Sequence, residues 1–119
     1  MNNEKNILKE KTYSFALKIV QLAKELNVQK EFILSKQILR SGTSIGALVR
    51  ESEYAQSKAD FINKISIALK EANETDYWLS LLKDSGYIKD TLFFELQPFC
   101  IEIIKICTAS INTAKRSRY

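Results

Sequence analysis

The chain has 119 residues, of which 27% are charged and 45% hydrophobic, with a formal net charge of +4, three glycines and one proline. That length suits one domain over residues 1–119, able to bury a core without disulfides or metal. So little glycine and proline leaves scant material for the turns of a sandwich or barrel, and the hydrophobic content excludes a disordered chain.

The N-terminal stretch MNNEKNILKEK has no uninterrupted apolar segment, so no secretory signal is expected and a cytoplasmic location is the default. Lys18, Lys24, Lys36 and Lys64 break every apolar run that might span a membrane. A first helix is expected over about 3–26, where Leu8, Thr12, Phe15, Ile19, Leu22 and Leu26 recur at alternating spacings of four and three, flanked by Ala16 and Ala23. Such spacing lays one seam along a helix, as neighbours crossing at about 20° require. Asn27 is expected to close this helix in a left-handed conformation.

The second helix, about 31–56, carries its seam on Leu34, Ile38, Ser41, Ile45, Leu48, Ser52 and Ala55. Gln37, Arg40, Ser44, Ala47 and Glu51 form a small, polar band beside it. Gly42 and Gly46 each cost about 1 kcal/mol relative to Ala inside a helix, which close approach of another backbone would justify.

Ser57-Lys58-Ala59-Asp60 resembles a capping box that opens a third helix over about 58–85, and Gly86 supplies its stop. Its seam runs Phe61, Ile65, Ala68, Ala72, Thr75, Leu79, Leu82. Ile67, Trp78 and Leu81 centre about 120° from that seam, in one band with Glu71 and Glu74. A Trp turned from the core predicts a subunit contact; the alternative is a wide core stripe with Trp78 on the flank of the fourth helix.

The fourth helix, about 90–115, is expected to be capped by Asp90 and kinked by Pro98, with a seam on Leu96, Cys100, Ile103, Cys107, Ser110 and Ala114. Lys115, Arg116 and Arg118 follow as a basic tail, expected to fray beyond about 115. The connections are short, so successive helices are expected to be neighbours running in opposite directions. The fold expected is an all-α, antiparallel up-down four-helix bundle. A turn centred near Ser57 pairs positions of helices two and three whose numbers sum to about 114. Arg40 then faces Glu74 and Thr43 faces Glu71, which suggests an ion pair of Arg40 with buried carboxylates.

No histidine occurs, which removes the commonest general base and metal ligand. Glu51, Glu71 and Glu74 could cluster, but Arg40 beside them argues against a metal. Cys100 and Cys107 lie about 10 Å apart along a helix, too far to bridge, and are expected to be buried free thiols. No phosphate-binding glycine loop or nucleophile elbow is present. No catalytic residue, cofactor or small-molecule substrate is therefore expected.

The segment Gln37 to Ile88 carries Arg40-Ser41, Ser44-Ile45-Gly46-Ala47, Asp60-Phe61, Ala68-Leu69, Glu71-Ala72, Glu74-Thr75 and Tyr77-Trp78-Leu79. It resembles the core motif of four-helix-bundle proteins known as 23S rRNA-intervening-sequence proteins. It is also similar to the basic accessory protein of diversity-generating retroelements, which works with a reverse transcriptase and RNA. Leu48 departs from that pattern, where Asn is commoner. The resemblance implies an antiparallel bundle that assembles as a ring, commonly a pentamer, without catalytic residues. The motif falls on the second band, so Arg40, Ser44, Ile67, Glu71, Glu74, Trp78 and Leu81 are the expected oligomer interface. RNA is the partner that the resemblance suggests beyond the chain itself, with Lys115, Arg116 and Arg118 as candidate phosphate contacts; the alternative is a scaffold with no nucleic-acid role. One continuous basic face made by Lys5, Lys9, Lys11, Lys18, Lys64, Lys70 and the tail would favour RNA, whereas lysines scattered among acids would favour the scaffold.

Overall fold

The structure, a computed structural model, describes residues 2–117, with side chains from Asn6 onward. Lys5 as a side chain and Arg118 altogether lie outside the described residues. Four helices account for nearly all of the described chain: α1 (Asn2–Val28), α2 (Phe32–Ser52), α3 (Lys58–Asp84) and α4 (Asp90–Arg116). The described residues contain no strand, and the bundle measures 50 × 22 × 19 Å, about one helix in length.

Each helix packs on its neighbours in sequence, and α4 returns to α1 in a looser contact. Along every pair, numbers rise on one helix as they fall on the other. Ser35 meets Ala23 and Gly42 meets Ile19. Arg40 meets Glu74 and Glu51 meets Lys64; Cys100 meets Ala72 and Gln97 meets Asp76. Lys11 and Lys18 pair with Glu102 and Glu95.

The seams on α1 and α3 form the core as expected, with Phe15, Ile19, Leu26, Ile65, Leu79 and Leu82 fully enclosed. On α2 the buried line shifts by one residue. Val49 and Gly42 are inside, while Leu48 is only half-buried. On α4, Ile111 replaces Ser110 as the buried residue. Both shifts reflect the 3.6-residue turn, which drifts off a strict seven-residue repeat over several turns.

Gly42 and Gly46 lie against α1 of the same chain. A Cβ on Gly42 would come within 2.8 Å of Ile19 Cγ2, and one on Gly46 within 3.4 Å of the Thr12 carbonyl oxygen. What approaches them is therefore α1, through the Ile19 side chain at Gly42 and the Thr12 backbone at Gly46.

The helix ends correct several expectations. α1 continues through Asn27 to Val28, and the left-handed residue is Lys30, at φ 65°. Glu31 N–H donates to Leu26 O and Lys30 N–H to Asn27 O, both at 2.9 Å, which completes a Schellman closure. Gly86, at φ 83°, closes α3 in the same way through Tyr87 N–H to Leu82 O. α2 ends at Ser52, since Glu53, Tyr54 and Ala55 turn back onto the carbonyls of Arg50, Glu51 and Ser52. Ser57 caps α3 by accepting the Asp60 N–H at 3.0 Å. Asp90 is not the cap of α4; that position is Lys89, which makes no side-chain cap bond, and Asp90 sits in the first turn. There its charge still favours the positive end of the helix. α4 runs through Pro98 as one helix from Asp90.

The last turn of α4 holds Lys115 and Arg116 in helical conformation, and most of the stretch expected to fray lies outside the described residues. Lys58 Nζ donates to Ser117 O and ties this end to the start of α3. No helix is long and apolar enough to cross a membrane among the described residues.

Candidate functional site

The second band of α3 and the polar band of α2 meet at the surface. Arg40 Nη1 donates to Glu71 Oε1 at 3.0 Å, and Arg40 Nη2 to Glu74 Oε2. The same Glu74 oxygen accepts the Trp78 indole N–H at 2.9 Å. Helical spacing produces this convergence: Glu71, Glu74 and Trp78 stand three and four residues apart on one face of α3. Ser44 Oγ donates to Arg40 O at 2.6 Å. Beneath this layer, Thr75 Oγ1 lies 2.8 Å from both Ser41 Oγ and Glu71 O, so the buried hydroxyls are satisfied.

Thr43 does not reach Glu71; its hydroxyl bonds to Leu39 O at 2.6 Å. Arg40 takes both carboxylates because its fork spans the turn between them. The expectation that Arg40 neutralises a buried pair needs correction for the single chain. Its side chain is 48% exposed, against 17% for Glu71 and 34% for Glu74. Only Glu71 is largely removed from water.

Trp78 is half-buried and packs against the core. Its indole N–H is held by Glu74, the residue that also pairs with Arg40 of α2. Ile67 and Leu81 are likewise half-buried. This band is thus neither a dry core stripe nor a freely exposed apolar patch. Glu51, the third carboxylate considered, pairs with Lys64 at 3.4 Å. Among the described residues no cluster of metal-binding side chains occurs.

The lysines named as possible RNA contacts are interleaved with acids. Lys9 pairs with Glu53, Lys11 with Glu102, Lys18 with Glu95 and Lys64 with Glu51, at 3.0–3.4 Å. Lys70 is exposed. Lys115 and Arg116 are exposed at the α4 terminus and form no ion pair among the described residues.

Cys100 and Cys107 are buried free thiols. Burial pushes both thiols up to about 12, and Asp76 adds to the effect at Cys100. They remain protonated and unreactive near neutral pH. A shallow groove between α1 and the α3–α4 turn is lined by Leu22, Glu25, Gln29, Tyr87 and Leu92.

Sequence reasoning missed two features. Lys58 anchors the end of α4, a contact across 59 residues that no local pattern signals. Tyr13, Leu17 and Leu39 are exposed, and Arg50 lies over the Tyr13 ring at 5.6 Å. Their positions off the seams were the available signal.

No match is found among the curated proteins. A solved structure from Bacteroides thetaiotaomicron, described as a protein of unknown function from the S23 ribosomal protein family, is 55% identical. The similarity covers 92% of this chain and 98% of that one, with a TM-score of 0.90. The family model described as 23S rRNA-intervening sequence protein matches residues 4–109, nearly the whole chain. This chain therefore belongs to the 23S rRNA-intervening sequence protein family.

Proposed function

We propose that the chain is a non-enzymatic, self-associating bundle whose α2/α3 side meets another copy. The observation that carries this reading is the Arg40–Glu71–Glu74–Trp78 network. Three charges and an indole are held in one arrangement at a surface, with Ser44, Ile67 and Leu81 on the same side. A network already ordered before contact loses little entropy on association, and half-buried aromatic and Arg side chains are typical interface anchors. On this reading the bundle is antiparallel and up-down, a topology supported by the falling-against-rising pairs along every helix contact. A ring of five is the assembly that the resemblance implies. The two unbridged buried thiols fit a reducing cytoplasm.

The interleaved lysines support a protein-interaction role for the body of the bundle. A second reading, RNA contact, rests on the exposed Lys115 and Arg116 at the α4 terminus, together with Arg118. Sedimentation of the full chain tests assembly: a 13.7 kDa species at all micromolar concentrations would remove the first reading. Trp78→Ala is expected to weaken association by about 2 kcal/mol or more. For the second reading, filter binding of structured RNA across a salt series should give an affinity that falls steeply with salt and drops when Lys115 and Arg116 are changed to Glu. Failure to bind at about 50 mM salt leaves the scaffold.

A further inference from the structure

The corner between α1 and α2 gathers exposed apolar side chains at one end of the bundle. Val28, Phe32 and Ile33 are 83%, 59% and 75% exposed. α1 ends at Val28 and α2 begins at Phe32. The closure through Lys30 and Glu31 reverses the chain within that gap, so these side chains stand beyond the last core layer, which Leu26 fills. Glu31 turns its carboxylate onto the Ile33 and Leu34 N–H groups, at 2.9 and 3.0 Å. The corner is therefore a convex apolar tip, not a groove.

The charges left free around this tip have one sign. Lys24, Lys30 and Lys36 are exposed and form no ion pair among the described residues. Of the two carboxylates nearby, Glu31 is engaged as the cap of α2, and Glu25 lies on the α4 side of α1, in the groove with Leu22 and Leu92. The adjoining α3–α4 turn is balanced, with Lys83 beside Asp84 at 3.8 Å and Lys89 next to Asp90. The lysines are also ordered along the bundle axis. Lys24 precedes Val28 by one helical turn and Lys36 follows Phe32 by one, so both stand about 6 Å behind the tip. Lys30 is at the tip itself, with a stem long enough to lie along the apolar surface and turn its charge back.

We infer that the α1–α2 corner is a peripheral contact site for an anionic lipid bilayer. Val28, Phe32 and Ile33 enter the boundary between headgroups and acyl chains, and Lys24 and Lys36 lie at the level of the phosphates. Interfacial segments bury their apolar side chains about 5–10 Å into that boundary, and lysines about 6 Å behind the tip match this depth. A fluid bilayer receives a convex apolar tip without a preformed pocket, and its anionic headgroups answer the unpaired lysines. A protein partner would have to offer a concave, acidic hollow in their place. The contact is independent of the self-association proposed above. It also lies at the end of the bundle opposite Lys115 and Arg116, which sit beside the start of α3.

Flotation of the full chain with vesicles tests this, using phosphatidylglycerol and phosphatidylcholine in equal parts against phosphatidylcholine alone. The expected result is binding to the mixed vesicles that falls as salt rises, and little binding to the neutral ones. Lys24→Gln/Lys36→Gln is expected to lower partitioning about 25-fold, roughly fivefold for each lysine at an anionic surface. Phe32→Asn/Ile33→Asn is expected to lower it by about tenfold or more. The two double variants change separate exposed side chains, so either one tests the corner if the other melts early. Tyr54→Asn, exposed at the opposite end of the bundle, should bind as the wild-type chain does. Failure of the wild-type chain to bind the mixed vesicles would overturn the proposal, even if a protein partner of the corner were found. Equal binding to neutral vesicles would overturn it too. Binding that survives both corner variants and falls in Lys115→Glu/Arg116→Glu would assign the contact to the α4 terminus and overturn the corner.

Discussion

Gly42→Ala gives the sharpest test of how α1 and α2 are packed. A Cβ at this position would sit 2.8 and 2.9 Å from Ile19 Cγ2 and Cγ1, and 3.2 Å from Ile19 Cβ. These atoms cannot swing aside, because Ile19 is fully buried, branched at Cβ and held to one rotamer in a helix. Overpacking of this kind costs about 1–3 kcal/mol, while replacing a mid-helix glycine by alanine returns about 1. The net expectation is a loss of up to about 2 kcal/mol, read as a lower urea midpoint with an unchanged slope. Gly46→Ala is the internal control. Its Cβ would meet the Thr12 carbonyl at 3.4 Å, ordinary contact, so the propensity gain should leave it neutral or more stable. A double-mutant cycle isolates the cause. In an Ile19→Ala background the obstructing atoms are gone, and Gly42→Ala should become stabilising. If Gly42→Ala raises stability in the native background, the close approach of α1 to α2 at this level is wrong.

Arg40→Ala is expected to cost only about 1 kcal/mol in dilute protein, because the guanidinium is half exposed, and more at concentrations where copies associate. A melting temperature that drops equally at all concentrations would count against its role at an interface. Thr75→Val should cost about 1–2 kcal/mol in urea unfolding by stranding Ser41 Oγ in the core. The cysteines give a pH dependence. Their folded values near 12 exceed the ordinary 9.0, so the unfolded chain releases thiol protons first as pH rises. Stability from this source is intact below pH 9 and declines between 9 and 12. The Cys100→Ala/Cys107→Ala pair should flatten that decline in urea midpoints measured from pH 7 upwards.

The periodic seams made the four helices legible, because burial on one side of a 3.6-residue turn imposes a pattern that needs no tertiary information. Ser57 and Gly86 were legible for a related reason, since each satisfies backbone groups within its own turn. Asn27 and Asp90 were misread at the same level. A helix end is fixed by where the chain must leave to reach its neighbour, and here that geometry put Lys30 in the left-handed position and carried Asp90 inside the first turn. The one-residue shift of the α2 seam belongs with these. Ile38, Ser41, Ile45 and Ser52 stay on the buried line, and the drift of a 3.6-residue turn off a strict seven-residue repeat brings Val49 rather than Leu48 to the core.

The candidate interface divides along the same line. Arg40 could be placed opposite Glu74 by counting back from the α2–α3 turn, since a short connection fixes the register. That count could not reveal that one guanidinium spans both Glu71 and Glu74, or that Trp78 completes the set by donating to the oxygen Arg40 already holds. Those outcomes depend on side-chain reach across a helix pair. Exposure was less accessible still. Ile67, Trp78 and Leu81 drew attention as apolar residues off the seam, yet each is half-buried, whereas Tyr13 and Leu17 lie in water. The difference arises because α2 and α3 carry polar groups that flank Trp78, while little among the described residues covers Tyr13 and Leu17 on the outer side of α1.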